Sequence, residues 1–407
     1  MLKIIKARYI LPCDETFSVL ENAAFVFDEK IIEVGKFESL IKKYPAAKLI
    51  KTPKNSLILP AFINTHTHLE FSANAYTLEF GDFLKWLKSV IKSRDNLSKS
   101  AKEELILQKL SQMARSGTAT IGEISSFGSD LSACVKSNLR VVFFNEILGV
   151  NEEFNEAKKA EFLKRFQASL KYVNERFSPA ISLHSPYSLN LNLAKFALSL
   201  AKKHKMLVSS HFLESAYEKK WLLNAQGGFK KWLLNFSKNP KPNYTPQSFV
   251  NLFKNQKTLF THCVFLDDFS LLDKNLHSIT HCAMSNRLLC NKTLNLKKAL
   301  NSGLNINLGT DGLSSNNSLS MLDEMRANLA IHSSLKPEIL AQKLLLMATN
   351  KGAKALNLNA GEIKAGKLAD FSVFKISECE KEQLPLQFIL NAKEVSNLFI
   401  GGKECRF

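Results

Sequence analysis

The segment Asn64-Thr65-His66-Thr67-His68-Leu69-Glu70 sets two imidazoles two residues apart, directly behind the apolar run Leu57-Ile58-Leu59-Pro60-Ala61-Phe62. Side chains two apart on a strand share a face, so an apolar strand ending here aims His66 and His68 at one point. That is half of a metal site. Two surface histidines in a loop is the alternative, unless later segments supply further ligands. They do: His211 closes the run Met206-Leu207-Val208-Ser209-Ser210, and Asp311 closes Asn305-Ile306-Asn307-Leu308-Gly309-Thr310. Three imidazoles and one carboxylate suit Zn2+ or Fe2+ with a water left on the metal. Such a water has its pKa lowered to about 7, which makes hydroxide available at neutral pH. Asp311 can touch the metal and take the water's proton. Glu214, three residues beyond His211, can hand a proton to a substrate, and His262 can orient the hydroxide.

The elements that must position these groups alternate between strand and helix. Strands are expected at Thr118–Glu123, Arg140–Glu146, Ala180–His184, Met206–His211, Leu259–His262, Ser278–His281 and Asn305–Asp311, in addition to the one before His66. Helical spacing falls between them, as at Phe83–Ile91, Lys102–Arg115, Glu156–Glu175 and Leu193–Lys203. Eight strands alternating with helices argue for an α/β fold, a (β/α)8 TIM barrel, whose active site lies at the carboxyl ends of the strands. Six of the nine histidines (66, 68, 184, 211, 262 and 281) fall at those ends, and only 204, 277 and 332 do not. Glu123 and Glu146 also close strands and can serve as hydrogen-bond acceptors for imidazoles. Both termini are rich in short strands instead, which predicts a small β-sandwich domain from residues 1–57 together with 357–407, flanking a barrel of residues 58–356. An irregular stretch at 214–246, with helical pieces around Trp221 and Trp232, reads as an insertion able to act as a lid.

Composition narrows the function classes. The chain has 407 residues, 45% hydrophobic and 23% charged, in the range of ordinary globular proteins. No apolar run reaches a membrane span and no secretory signal opens the chain, so a cytoplasmic location and no membrane partner are expected. The seven cysteines are odd in number and lack a CxxC pair, as expected of reduced thiols. Cys263 and Cys282 follow histidines, but strand alternation turns them to the opposite face, into apolar packing. The net charge of +18 comes from lysines spread along helices rather than gathered in one arm, so a solvated basic surface is expected and no nucleic-acid partner.

Pro60-Ala61-Phe62-Ile63-Asn64-Thr65-His66-Thr67-His68, His211-Phe212-Leu213-Glu214, His262-Cys263-Val264, His281-Cys282-Ala283-Met284-Ser285-Asn286 and Gly309-Thr310-Asp311-Gly312 resemble the amidohydrolase superfamily. Within it they are similar to the chlorohydrolase and S-adenosylhomocysteine/methylthioadenosine deaminase branch. Gly366-Lys367-Leu368-Ala369-Asp370-Phe371 resembles that family's returning β-sandwich strand, so the likeness covers nearly the whole chain. The resemblance implies one divalent metal on His66, His68, His211 and Asp311. Glu214 would protonate the ring nitrogen next to the attacked carbon, and His262 would polarise the water. Binuclear members carry a lysine at the end of the fourth strand; His184 stands there, which implies a mononuclear site and a substrate contact from His184. Glu70, Arg94 and Asp95 take the places from which relatives draw contacts to sugar hydroxyls or carboxylates, with surface roles as the alternative. His281 and Asn286 are expected to brace the pocket. The implied reaction is hydrolytic deamination of an adenine nucleoside, a small-molecule substrate, and a homodimer is compatible with it. Guanine, cytosine or triazine substrates are the alternatives, and a non-catalytic scaffold on the same fold is the rival of a different class.

Overall fold

Two patterns of apolar residues run through the chain, and each builds its own sheet. At the N-terminus, short segments with mixed burial form β1 (Lys3–Ile10), β2 (Leu20–Phe27), β3 (Ile31–Lys36) and β4 (Lys48–Ile50), and the fully buried Ser56–Pro60 forms β5. β1 pairs antiparallel with β2 and parallel with β4 and β5. The second pattern is burial of every strand residue but Ser178, as expected for strands covered on both faces. It gives β6 (Phe62–Thr67), β7 (Thr118–Ser125), β8 (Arg140–Ile147), β9 (Phe177–Leu183), β10 (Val208–Phe212), β11 (Thr258–His262), β12 (His277–His281) and β13 (Asn305–Leu308). These eight are parallel neighbours in chain order. The computed structural model describes residues 1–73, 78–100, 102–235 and 238–406, without the side chains of 94–100.

Side chains help to draw β6 and β13 together and close the barrel. Thr65 Oγ lies 2.6 Å from Asn307 Oδ1 and donates towards the Leu308 carbonyl at 2.9 Å, while the Asp311 N–H donates to the His66 carbonyl at 3.0 Å. The fold is therefore the expected (β/α)8 barrel. The chain then returns through β14 (Phe371–Lys375), β15 (Asn397–Ile400) and β16 (Lys403–Glu404) to the first sheet, where β14 pairs with β5. Phe25, Phe27, Phe371 and Phe399 join the two ends; the Phe371 and Phe399 rings stack at 4.6 Å, and Phe25 meets Phe371 edge-on at 4.9 Å.

Three of the boundaries that differ from expectation have a cause visible in the structure. The run before His66 is not one strand: Leu57–Pro60 lie in β5, and the chain changes sheets at Ala61, whose N–H donates to Asp370 O while that of Phe62 donates to Gly117 O. A fully apolar run carries no periodicity to reveal the crossing. The helix expected to reach Glu175 spans Asn155–Leu170, because Asn174 Oδ1 accepts from the Arg176 and Phe177 N–H groups and starts a turn instead. β13 stops at Leu308, so Asp311 sits on the loop beyond it at φ +62°. Cys263 and Cys282 are buried, the former in the main apolar core. Among the described residues, no helix is long and apolar enough to cross a membrane.

One buried ion pair ties the two sheets together. Arg140, at the start of β8, meets Asp370, just before β14, at 3.1 Å, and Asp370 also accepts the Gly401 N–H at 2.6 Å. Removing one partner of a buried pair strands the other's charge, at a cost of about 3–5 kcal/mol. Asp370→Ala should lower the urea midpoint accordingly, and an unchanged midpoint would show that the sheets hold together without this contact.

Candidate active site

His66 and His68 emerge together at the end of β6, His211 comes from the end of β10, and Asp311 from the loop after β13. His68 Nε2 and His211 Nε2 face each other at 3.4 Å, and Asp311 Oδ1 lies 3.7 Å from His66 Nε2 and 3.6 Å from His68 Nε2. His211 Nδ1 lies 2.8 Å from the His184 carbonyl, which can only accept, so His211 carries its proton there and turns a lone pair inward. His66 Nε2 is buried with no hydrogen-bond partner. Burial and the neighbouring imidazoles push His66 well below its usual range, and burial brings His68 down to about 3. Against burial, the His68, His262 and His66 imidazoles and the Ser285 hydroxyl hold the Asp311 carboxyl ionised. Converging neutral nitrogens with an orphaned lone pair and a carboxylate form a donor set that a divalent cation satisfies.

Backbone geometry makes that convergence fit. A Cβ on Gly309 would come within 2.8 Å of His66 Cβ, and one on Gly312 within 2.9 Å of His68 Cβ. Gly312 also donates its N–H to Asp311 Oδ1 at 2.9 Å, and Ser285 Oγ donates to Oδ2 at 2.7 Å. Asp311 and His262 both adopt left-handed backbone conformations, φ +62° and +74°, of the kind that concentrate at functional sites.

Glu214 and His262 stand beside the cluster. Glu214 is buried, 3.5 Å from His262 Nε2, which lies 4.0 Å from Asp311 Oδ2. Burial first, then the Asp311 and Glu218 charges, push the Glu214 carboxyl well above the ordinary range. Glu218 was not anticipated from sequence: its carboxylate accepts the Leu213 and Glu214 N–H groups at 3.0 and 2.9 Å and fixes the turn that carries Glu214. The only signal for it was a carboxylate in the first turn of a helix capped by Ser215. Asn286 Oδ1 lies 2.8 Å from His262 Nδ1, and His281 packs behind Asn286, so both brace the pocket.

A cavity of about 430 Å3 opens above the cluster, walled by Phe71, Trp86, Phe127, Tyr187 and Trp232. His184 lines it, its Nδ1 held 2.5 Å from Ser188 Oγ. Trp232 comes from the 214–246 insertion, where helices Ala216–Asn224 and Gly228–Leu233 form. Glu146 lines the cavity too, 4.0 Å from His211 Nδ1 and accepting from Ser126 Oγ at 2.6 Å.

Glu70 is a correction. It is fully buried, and its oxygens accept the Ser126, Phe127 and Ser129 N–H groups and the Ser129 hydroxyl, at 2.7–2.9 Å. No capacity is left for a substrate; the residue anchors the loop after β7. Glu123 likewise meets no imidazole among the described contacts. It accepts the Leu69 N–H at 2.7 Å and faces Asp130, with burial and the Asp130 charge pushing its pKa well above the usual range. The side chains of Arg94 and Asp95 lie outside the described residues. Among the described residues, the cations that line the cavity are Lys158 and Arg165, two turns apart on one face of the helix Asn155–Leu170. Lys158 pairs with Glu161 at 3.0 Å, and Arg165 donates to the Ser125 and Glu146 carbonyls. Their i, i+7 spacing was visible in sequence, but nothing there said which face looks inward.

The tight seat at Gly312 is testable. Gly312→Ala should force the Asp311 loop away from His68 and weaken metal affinity about 10- to 100-fold, the effect of disturbing a ligand's support. Competition against a chromophoric chelator measures it, and wild-type affinity would mean that the loop yields freely.

Comparison with known proteins extends this geometry. The amidohydrolase family profile matches residues 57–405. The chain is 42% identical to the aminodeoxyfutalosine deaminase of Nitratiruptor sp. over 99% of both chains. It is 41% identical to a Helicobacter pylori protein named adenosine deaminase, again over 99% of both. Its fold superposes on the crystal structure of H. pylori aminofutalosine deaminase in complex with methylthio-coformycin with a TM-score of 0.94 and 38% identity, covering 99% of this chain and 100% of that one.

Proposed function

The chain belongs to the amidohydrolase family, and from that premise we infer that it hydrolyses the exocyclic amino group of an adenine-containing nucleoside, yielding the corresponding hypoxanthine-containing nucleoside and ammonia. The carrying observation is the Glu214 carboxyl, buried beside the ligand cluster, with its pKa held well above the ordinary carboxyl range by desolvation and the neighbouring Asp311 and Glu218 charges. Replacing an aromatic amine demands such an acid: the ring nitrogen must gain a proton as the attacked carbon becomes tetrahedral, and nitrogen must leave as ammonia.

His66, His68, His211 and Asp311 are the residues that would hold one divalent cation, Zn2+ or Fe2+. Bound there, it supplies a nucleophilic water of lowered pKa. Asp311, ionised, accepts a proton at its carboxylate; Ser285 and the Gly312 N–H keep that carboxylate aimed. His262 orients the attacking oxygen through Nε2, and Glu214 delivers a proton to the ring. His184 contacts the nucleoside, and the aromatic walls exclude water from it. His184 in the place of a bridging lysine supports one metal rather than two. The catalytic unit in this reading is the barrel of residues 58–356, with residues 1–57 and 357–407 as its β-sandwich companion.

The substrate we assign is 6-amino-6-deoxyfutalosine, which places the enzyme in the futalosine route to menaquinone. Support comes from the full-length 42% identical relative and from the basic side of the cavity, where Lys158 and Arg165 suit the carboxylate on the ribose side of that nucleoside. Adenosine is the second reading, favoured by the 41% identical H. pylori protein named adenosine deaminase. A panel of aminodeoxyfutalosine, adenosine, methylthioadenosine, S-adenosylhomocysteine and guanine, followed by the ultraviolet change from adenine to hypoxanthine, ranks them by kcat/KM. Silence across the panel from metal-replete protein would overturn the reading.

Two variants separate chemistry from recognition. Glu214→Gln should lower kcat about 10^2- to 10^4-fold while metal content stays at the wild-type level, as expected for loss of a general acid. Substantial residual turnover would remove Glu214 from that role. Lys158→Gln should raise KM for aminodeoxyfutalosine and leave that for adenosine unchanged; an equal effect on both would exclude a carboxylate contact.

A further inference from the structure

The two oxygens of Asp311 face different neighbours. Oδ1 lies 3.7 and 3.6 Å from the His66 and His68 Nε2 atoms and accepts the Gly312 N–H. Oδ2 lies 4.0 Å from His262 Nε2 and accepts the Ser285 hydroxyl at 2.7 Å. The torsion of an aspartate carboxylate is broad, so this division depends on where its two donors stand. Ser285 belongs to the first turn of the helix Ala283–Cys290, and Gly312 to the turn beyond β13.

Both segments are held by one buried carboxylate from a third. Glu324, in the helix Met321–Ile331, is 1% exposed. Its Oε1 accepts the Ala283 and Met284 N–H groups at 2.5 and 3.4 Å, at the N-terminal end of the helix that carries Ser285. Its Oε2 accepts from Asn316 Nδ2 at 3.1 Å. Asn316 in turn brackets Asp311: Nδ2 also donates to the Thr310 carbonyl at 2.7 Å, and its backbone N–H donates to the Gly312 carbonyl at 2.9 Å. The orientation of this amide is determined, because Oδ1 accepts the Ser318 N–H at 3.2 Å and the Thr310 carbonyl can only accept. Burial pushes the Glu324 carboxyl up to about 8, and the donors around it oppose that shift by favouring the ionised form.

We propose that Glu324 is a positioning residue for Asp311: by pinning the helix of Ser285 and the turn of Asn316 to one point, it keeps Oδ1 on the imidazole cluster and Oδ2 turned to His262. This rests on the reading of Asp311 as a metal ligand and proton acceptor. One substitution tests it without emptying the space. Glu324→Gln keeps the shape and one acceptor oxygen, but its NH2 must face either Ala283 or Asn316, donor against donor, so one of the two anchors is lost.

Co2+ is the probe, since its visible absorption responds to the geometry of its ligands, and no nucleoside is needed. Affinity comes from competition with a chelator, and the spectrum from the fully loaded full-length chain. Glu324→Gln should bind Co2+ about 10- to 100-fold more weakly, as loss of a ligand's support does, and with a changed spectrum. Asp311→Asn separates the proposal from the reading beneath it. A wild-type spectrum in that variant removes Asp311 from the metal and overturns both. A changed spectrum there, beside wild-type affinity or a wild-type spectrum in Glu324→Gln, overturns the proposal alone. Asp370→Ala controls for destabilisation, and an equal spectral change in it would overturn the proposal as well. Should Glu324→Gln not fold, Asn316→Ala, which removes the amide that Glu324 grips, is read by the same outcomes.

Discussion

Everything in this molecule answers to the burial of three imidazoles and a carboxylate at one point. Each group would be better solvated outside: the histidines are neutral, with lone pairs turned inward, and the aspartate is ionised with no lysine or arginine paired to it among the described residues. Such a cluster persists only when its surroundings over-determine it. Here the support is the barrel itself, whose first and last strands are drawn together beside the ligands. The glycines at 309 and 312 allow the Asp311 loop to lie against His66 and His68 at distances no side chain would permit.

The loops around the cluster are fixed by one recurring device, a buried carboxylate accepting backbone N–H groups. Glu218 holds the turn of Leu213 and Glu214, Glu70 the loop at Ser126–Ser129, Glu123 the Leu69 N–H, and Glu324 those of Ala283 and Met284. The same desolvation raises the pKa of several of these carboxyls, which makes the interior rich in acids of raised pKa. Glu214 differs from its neighbours in this respect: among the described residues no backbone N–H is bonded to its carboxyl, and it faces His262 and the cavity. That separates an acid available for chemistry from acids used as fasteners.

The cavity joins two environments in one space. Its base is the polar cluster, and its walls are aromatic, suited to the face of a purine. Lys158 and Arg165 bring positive charge to its lining from a helix that also covers the barrel.

Much of this was legible in the sequence. Apolar runs closing on histidine or aspartate identified the barrel strands and the side chains that cluster at their ends, because the hydrophobicity of a run and the residue that ends it are local properties. Glu214 followed from its distance to His211, and His281 and Asn286 were expected as braces. What tertiary structure alone decided concerns direction and partnership. Glu70 sits in the ligand segment, yet its carboxylate turns to the loop after β7. Glu123 closes a strand but faces Asp130. The run Leu57–Phe62 is uniform in hydrophobicity, and only its hydrogen-bond partners reveal that it serves two sheets. His332 lies far from every strand end in sequence and meets His281 at 2.9 Å in space. The physical reason is common to all four: residue type and spacing determine what a side chain can do and which face of its own element it occupies, whereas its donor or acceptor partner comes from a distant segment that only the packed chain brings near.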